Sequence, residues 1–517
     1  MDYVALSINT IINRLVETLK GRRSLFVGLD IGTSGVKAVL VDETQMILAE
    51  ANAPLTVQRP YPLWSEQDPQ AWWDAVEAVM TTLRADHPTQ YGAIRGIGLS
   101  GQMHGATLLD CANAVLRPAI LWNDGRSGDE CQELIAREPS TSAITGNLAM
   151  PGFTAPKLLW VAKHEPDIFA KTAKVLLPKD YVRLCMTGEA VSEMSDAAGT
   201  LWLDVAARDW SDAMLAACGL NRDHMPRLVE GSAASGALKA DVATAWGLSP
   251  SVIVAGGAGD NAAGAVGIGA VTPGRAFLSL GTSGVYFLTN ERYTPNPDQG
   301  VHAFCHCLPN TWHQMSVILS AASCLSWVTK ITGAADEAGL LREIEAAGDP
   351  GETTTIFLPY LSGERTPHND PYAKGVFFGM THETDRAALG RAVLEGVAFA
   401  LVDGQDALLA GGAQIDTVSV IGGGARSAFW GRILASALDR PLTYHKAGEV
   451  GPAFGAARLA RLAVSGEEPH DVCTPPPIDR IVEPDPDLRA AMMARHEQFV
   501  RLYTILKPEF LAQGSDR

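Results

Sequence analysis

Two copies of one short segment carry residue types suited to binding phosphate. Gly32-Thr33-Ser34-Gly35 recurs as Gly281-Thr282-Ser283-Gly284, and each copy stands between two strand-like runs. Glycines let a phosphate approach the backbone, while hydroxyls and amides donate hydrogen bonds to its oxygens. Either copy alone is more typical of a plain hairpin turn. The matched pair favours two related domains, each with a phosphate-binding turn.

Two aspartates are the candidate carboxylates for chemistry beside these turns. Asp30 precedes the first turn by two residues and could hold Mg²⁺ directly or through water; the alternative is a satisfied carboxylate at a strand end. Asp260 follows a strand that breaks into glycines, where a helix of small residues begins; the alternative is a helix cap. With the two turns, these residues supply what phosphoryl transfer from a nucleotide requires.

Two other motifs do not support the chemistry that they suggest. Residues 96–101 match GxGxxG, but the first glycines lie within a strand and no amphipathic helix follows, so dinucleotide binding is not expected. His302, Cys305, His306 and Cys307 resemble metal ligands. On a strand, however, the two histidines share one face and the two cysteines share the other, so core packing is predicted.

The elements that must position these residues alternate between strands and helices, which predicts an α/β fold. Leu25–Ile31 and Val36–Val41 read as a β-hairpin, and a helix with Trp72 on its buried face follows the cap Asp68-Pro69. Residues 1–23 read as an accessory amphipathic helix. We expect a first domain over residues 24–250 and a second over residues 251–517.

Composition excludes several classes of protein. The 517 residues carry a formal net charge of −17, which argues against nucleic-acid and anionic-membrane partners. The eight cysteines form no CxxC pair, as expected in a reducing cytoplasm. The longest run without Lys, Arg, Asp or Glu, residues 299–329, contains three histidines and does not read as a membrane span. A cytoplasmic homodimer is the expected form.

From Leu25 to about Leu506 the chain resembles the FGGY carbohydrate kinases of the actin-like ATPase superfold. The segments that carry the resemblance are the hairpin with Asp30, Gln102-Met103-His104-Gly105, Leu121-Trp122-Asn123-Asp124, residues 152–164, Gly259-Asp260-Asn261-Ala262-Ala263-Gly264, the second Gly-Thr-Ser-Gly turn, residues 357–368 and residues 421–427.

The resemblance implies a fold, an activity and a pair of substrates. The fold is α/β, with two actin-like (ribonuclease H-like) ATPase domains and a catalytic cleft between them. The implied reaction is ATP-dependent phosphorylation of D-xylulose, giving the 5-phosphate and ADP, with Mg²⁺ as cofactor. Another neutral ketose or polyol is the alternative substrate, and a nucleotide-switched actin-like ATPase is the alternative class.

The resemblance also implies roles for individual residues. Asp260 corresponds to the general base, and Asp30 with Asp260 to the Mg²⁺ environment. The implied sugar-binding residues are Met103, His104, Trp122, Asp124, Asp260 and Asn261. The implied phosphate- and nucleotide-binding residues are Thr33, Ser34, Gly281, Thr282, Gly423, Gly424 and Ser427.

Overall fold

The computed structural model describes residues 24–348, 354–446 and 451–515. The helix predicted over residues 1–23 lies outside these ranges. Within the described part of the chain, no helix is both long and apolar enough to cross a bilayer. All eight cysteines fall in the described ranges, and all are free thiols.

The first half of the chain begins with the predicted hairpin. Its strands are β1 (Leu25–Ile31), β2 (Gly35–Asp42), β3 (Ile47–Pro54), β4 (Glu66–Gln67), β5 (Ile94–Gly101), β6 (Thr107–Leu109), β7 (Ala119–Ile120), β8 (Lys174–Leu176), β9 (Val191–Glu193), β10 (Leu203–Asp204), β11 (Asp209–Trp210), β12 (Arg227–Val229), β13 (Ala234–Ala237), β14 (Ile253–Ala255) and β15 (Ala258–Gly259). Its helices are α1 (Pro69–Asp86), α2 (Pro88–Tyr91), α3 (Gly128–Arg137), α4 (Thr141–Thr145), α5 (Thr154–His164), α6 (Pro166–Lys171), α7 (Pro178–Thr187), α8 (Met194–Ala198), α9 (Asp212–Ala217), α10 (Ala240–Trp246) and α11 (Asp260–Ile268).

The second half contains the second hairpin and the longest helices. Its strands are β16 (Arg275–Leu280), β17 (Gly284–Asn290), β18 (His302–Cys305), β19 (Trp312–Ile318), β20 (Ile356–Leu358), β21 (Val376–Phe378), β22 (Thr417–Ile421), β23 (Leu442–His445) and β24 (Ile478–Val482). Its helices are α12 (Ala322–Ile331), α13 (Glu337–Ala346), α14 (Arg386–Ala410), α15 (Ala428–Leu438), α16 (Pro452–Ser465), α17 (Pro469–Val472) and α18 (Pro486–Ser515). Short 3₁₀ turns lie at Arg222–His224, Pro297–Gln299 and Gly423–Arg426.

The two large sheets repeat one topology. The first runs β13-β14-β5-β1-β2-β3, and the second contains β24-β23-β22-β16-β17-β19 in the corresponding order. The pairs are antiparallel, parallel, parallel, antiparallel and antiparallel in both. The repetition predicted from the two Gly-Thr-Ser-Gly turns is therefore confirmed, with each turn closing the central hairpin of its sheet.

The structure contains the helix and the strand that the local sequence patterns predicted. Asp68 caps α1 by accepting a hydrogen bond from the Gln70 N–H, and Trp72 is fully buried against the first sheet. Residues 96–101 lie inside β5, so the GxGxxG match is strand and not a nucleotide-binding turn. Alternate apolar residues of the two central strands β1 and β2, among them Val27, Leu29 and Ala38, are buried in the core of the first half.

Helix α16 belongs to the second half by sequence but packs on the first sheet. A Cβ added at Gly98 would fall 1.8 Å from the Ala456 carbonyl oxygen, and one at Gly28 equally close to that of Ala453. Glycine is required at these strand positions because only a bare backbone leaves room for the helix.

The predicted boundary near Pro250 falls too early. Strands β14 and β15 follow Pro250 yet pair with β5 in the first sheet, because their parallel ladder fills the edge beside it. We propose that the division between the two halves lies after Ile268, at the end of α11.

Candidate active site in the cleft between the halves

A cavity of about 220 Å³, lined by both polar and apolar side chains, opens between the two halves. Its residues come from both: Met103, His104, Trp122, Asp260, Asn261, Ser283, Val285, His302, Phe304, Met315, Val317 and Arg365. The register explains the convergence, since Ile31 pairs with Gly101 and Gly101 with Gly259. The carboxyl ends of β1, β5 and β15 therefore meet at one edge, as in other parallel sheets whose strand ends carry ligand sites.

Asp260 and Asp30 lie close enough for each charge to affect the other. Burial, with the negative charge of Asp30 second, raises the pKa of Asp260 to about 6, although Asn261 opposes the shift with hydrogen bonds of 2.7 Å and 3.0 Å. Burial also raises the pKa of Asp30, whose Oδ1 accepts a 2.9 Å bond from the Ser100 hydroxyl. Two crowded carboxylates of this kind suit proton transfer or a cation.

His104 presents a neutral imidazole to the cavity. Its Nδ1 lies 2.6 Å from the Gly199 carbonyl oxygen, which can only accept, so Nδ1 carries the proton. Burial, reinforced by the positive charge of Lys157, lowers the pKa of His104 to about 3. Nε2 is consequently a hydrogen-bond acceptor. The backbone at His104 is left-handed, with φ of 68°, and its carbonyl accepts a 2.8 Å bond from Nζ of the buried Lys157.

Trp122 and Thr33 are linked at the cavity mouth. The Trp122 side chain is 47% exposed, and its indole Nε1–H donates to the Thr33 hydroxyl at 3.0 Å. That hydroxyl donates its single proton to Gln102 Oε1, also at 3.0 Å. In this structure the Thr33 hydroxyl orients Trp122, and its predicted contact with phosphate stays a prediction. Ser34, in the same turn, is exposed.

Asp124 is not among the residues that line the cavity, and its role in binding sugar stays a prediction. Its carboxylate is fully used: it accepts from the Ser65 N–H at 2.6 Å and from the backbone and guanidinium of Arg126 at 2.7 Å to 2.9 Å. Arg126 also pairs with Glu66 at 2.7 Å and stacks on Trp64. In this structure Asp124 fixes the loop that follows Trp122.

The cavity wall that the second half contributes contains residues that the sequence did not predict as site residues. Arg365 donates to His302 Nε2 at 3.3 Å, and His302 Nδ1 lies 3.1 Å from Asn147 Oδ1. The Asn147 amide is fixed because its Nδ2 donates to the carbonyls of Thr145 and Ala303. His302, expected to pack in the core, therefore lines the cavity beside Phe304 on the same face of β18.

The residues of the second half that were predicted to bind phosphate and nucleotide lie along one edge of the second sheet. Ser279 pairs with Ile421, so Gly281 and the 3₁₀ turn Gly423–Arg426 follow neighbouring parallel strands. The Thr282 carbonyl accepts from the Ala321 N–H and the Ser323 hydroxyl, which anchors the turn and leaves Thr282 exposed. Ser427 caps α15 by accepting from the Trp430 N–H at 3.1 Å. Ser283, which follows Thr282 in the same turn, lines the cavity.

The donor set for a divalent cation fits one that completes its coordination with phosphate and water. Over residues 24–348, 354–446 and 451–515, no three His, Cys, Asp or Glu side chains cluster as a metal site. Asp30 and Asp260 supply two neighbouring carboxylates, which is the usual protein share of an Mg²⁺ site that also binds nucleotide phosphates. The residues present fit that cation.

The repeated sheet topology and the cleft between the halves define a kinase of the actin-like type, and the chain belongs to the FGGY family of carbohydrate kinases. The family's N-terminal domain matches residues 25–267 and its C-terminal domain residues 276–464.

Two relatives and one solved structure are similar over almost the whole chain. The xylulose kinase of Escherichia coli (strain K12) is 55% identical over 94% of this chain and 99% of its own length. That of Klebsiella pneumoniae is 54% identical over the same shares. The crystal structure of a xyloylose kinase from Brucella ovis superposes with a TM-score of 0.91 at 55% identity, covering 94% of this chain and 99% of that one.

Proposed function

We propose that the protein transfers the γ-phosphate of ATP to the terminal hydroxyl of D-xylulose, giving D-xylulose 5-phosphate and ADP. The observation that carries the proposal is the cavity itself, where a neutral histidine acceptor and a carboxyl of raised pKa line one small space together with apolar side chains. The similarity to two xylulose kinases along almost the full chain supports this sugar over others.

The sugar is recognised by groups that need no charge on the substrate. Nε2 of His104 accepts a hydrogen bond from a sugar hydroxyl, because its partner nitrogen already carries the proton. Met103 packs its thioether on the carbon skeleton, and Asn261 offers an amide. Arg365 donates to an oxygen of the sugar, oriented by His302 and Asn147.

Asp260 is the general base in this proposal. A sugar hydroxyl is a weak nucleophile, and Asp260 accepts its proton as the phosphoryl group arrives. With a pKa near 6, the carboxyl is mostly ionised at neutral pH yet more basic than an ordinary aspartate. Asn261 holds the side chain from the start of α11, so the carboxylate meets the substrate in one orientation.

In this proposal ATP binds along the edge of the second sheet, at Gly281–Thr282 and at Gly423, Gly424 and Ser427. Asp30 and Asp260 would hold Mg²⁺, which neutralises phosphate charge when bound. Asp30 keeps its orientation through the Ser100 hydroxyl. Ser34 offers a further hydroxyl from the opposite turn.

The test is a coupled ADP-release assay over a panel of ketoses and polyols, with D-xylulose giving the highest kcat/KM. A polyol or another neutral ketose used at least tenfold better would replace the proposed substrate. ATP hydrolysis as fast without sugar as with it would point to a nucleotide-switched ATPase instead. A cytoplasmic location and a homodimer stay predictions, which fractionation and light scattering would check.

A further inference from the structure

The short helix α8 touches the supports of both His104 and Asp260. At its carboxyl end the Gly199 carbonyl accepts the bond from His104 Nδ1 at 2.6 Å. Near its start the Ser195 hydroxyl accepts from the Gly259 N–H at 3.1 Å, one residue before Asp260. The two groups assigned to sugar binding and proton transfer are thus attached to the two ends of one helical turn.

A fully buried group of charges holds α8 in place. Glu193 accepts from the N–H groups of Ser195 and Asp196 and from the Ser195 hydroxyl. Lys179 on α7 lies 3.4 Å from Glu193, 2.9 Å from Asp196 and 2.8 Å from Asp180. Burying these charges is costly, and a fold that needed only packing could fill the space with apolar side chains at no loss of stability.

The same group of charged residues also binds the segment that leads into Asp260. Arg183 on α7 donates to the carbonyls of Ala255 at 2.7 Å and Gly256 at 2.6 Å, and it pairs with Asp180 at 3.2 Å. The chain from Ala255 to Gly259 is therefore held at both ends, by Arg183 and by Ser195. Gly199 also has to be glycine, because a Cβ there would lie 2.8 Å from the His104 ring.

We propose that Ser195, Glu193 and Lys179 are positioning residues that set the separation between His104 and Asp260. The inference rests on the proposed function. Each acts through another group. Lys179 pairs with Glu193 and Asp196, and Glu193 accepts the Ser195 hydroxyl proton. That hydroxyl in turn accepts the Gly259 N–H, which fixes the backbone one residue before Asp260. A misplacement of about 1 Å between binding and reacting groups can cost a factor of about 10² in rate.

The decisive variant is Ser195→Ala, which removes the hydroxyl and leaves the rest of α8 intact. We expect kcat for the sugar to fall about tenfold to a hundredfold, with KM for ATP unchanged. Ser436→Ala is the matched control, since the buried Ser436 hydroxyl likewise accepts a backbone N–H, from Asp485 at 3.0 Å, and Ser436 lies at the opposite end of α15 from Ser427 and does not line the cavity. It should lose similar thermal stability and keep its kcat.

A second variant tests whether Glu193 and Ser195 act through one shared chain of contacts. Glu193→Gln should raise KM for the sugar and lower kcat, because both ends of α8 shift. The double variant Ser195→Ala with Glu193→Gln should lose less than the product of the two single losses. Multiplicative losses would overturn the shared path.

Equal kcat in the parent, Ser195→Ala and Ser436→Ala would overturn the inference and leave the proposed function standing. A parent that releases no ADP in response to sugar would overturn both, so the two failures are distinguishable in one set of assays.

Discussion

Replacing the proposed base, Asp260→Asn, should make the protein more stable and far less active. In the folded protein the pKa of Asp260 is raised from 3.8 to about 6, so the ionised carboxylate is disfavoured by folding. At 1.36 kcal/mol per pKa unit the penalty is about 3 kcal/mol above pH 6 and fades as pH falls towards 4. Asn keeps the size of the side chain and an oxygen that can accept the Asn261 N–H, and it removes the charge.

The sign follows from which state binds more protons. Between pH 4 and pH 6 the folded protein holds a proton on Asp260 that the unfolded chain has lost, so parent stability decreases as pH rises through this window. The gain in Asp260→Asn should therefore be about 3 kcal/mol at pH 8 and about half of that at pH 5. Differential scanning calorimetry without nucleotide or Mg²⁺ at both pH values measures it as a rise in Tm of several degrees.

The kcat of Asp260→Asn should fall, although its stability rises. Losing a general base lowers kcat by a factor of about 10²–10⁴, with ATP affinity retained, and the parent kcat should decline below pH 6 as Asp260 is protonated. Asp241→Asn is the control, because the exposed Asp241 accepts a 2.9 Å bond from the Val242 N–H in the same local arrangement. The reasoning is refuted if Asp260→Asn keeps parental turnover, or if its Tm at pH 8 is no higher than that of the parent.

Three further substitutions test other parts of the site and fold. His104→Ala should lower kcat/KM for D-xylulose about tenfold to a hundredfold through loss of a buried hydrogen bond, with KM for ATP unchanged in the same assay. Trp122→Phe should raise the sugar KM about twofold to tenfold by losing the Thr33 bond, and Thr33→Val should do the same; additive effects in the double variant would contradict the contact. Gly98→Ala should destabilise the protein by about 3 kcal/mol or more, seen as a lower Tm, because its Cβ would overlap the Ala456 carbonyl.

Much of the first sheet and the place of Asp260 could be predicted because the information is local. Alternating apolar residues around Gly-Thr-Ser-Gly indicate a hairpin, and a strand that breaks into glycines before small residues indicates a helix start with a carboxylate on it. Both features depend on neighbours within a few positions. The family resemblance then supplied the roles, among them that of His104.

The contacts that the sequence did not predict join distant parts of the chain. Asp124 is bonded to the Ser65 N–H, 59 residues away, and no local pattern marks that bond. His302 reads as a core residue on its strand, and only the approach of Asn147 and Arg365 makes it part of the cavity wall. The alternation of His302 with Phe304 on one face of β18 was the available signal.

The crossing of α16 onto the first sheet has a consequence for how the chain folds during synthesis. Strands β1 and β5 are synthesised before the whole second half, whereas the helix that covers their glycines, Pro452–Ser465, follows strands β16 to β23 in the sequence. The first half therefore emerges with one face of its sheet uncovered and completes its core only after almost all of the second half has been made. Its folding cannot proceed strictly from the N-terminus, as it does for chains of independent domains. The strands whose carboxyl ends carry Asp30 and the neighbouring site residues therefore gain their covering helix only after β16 to β23 have been synthesised.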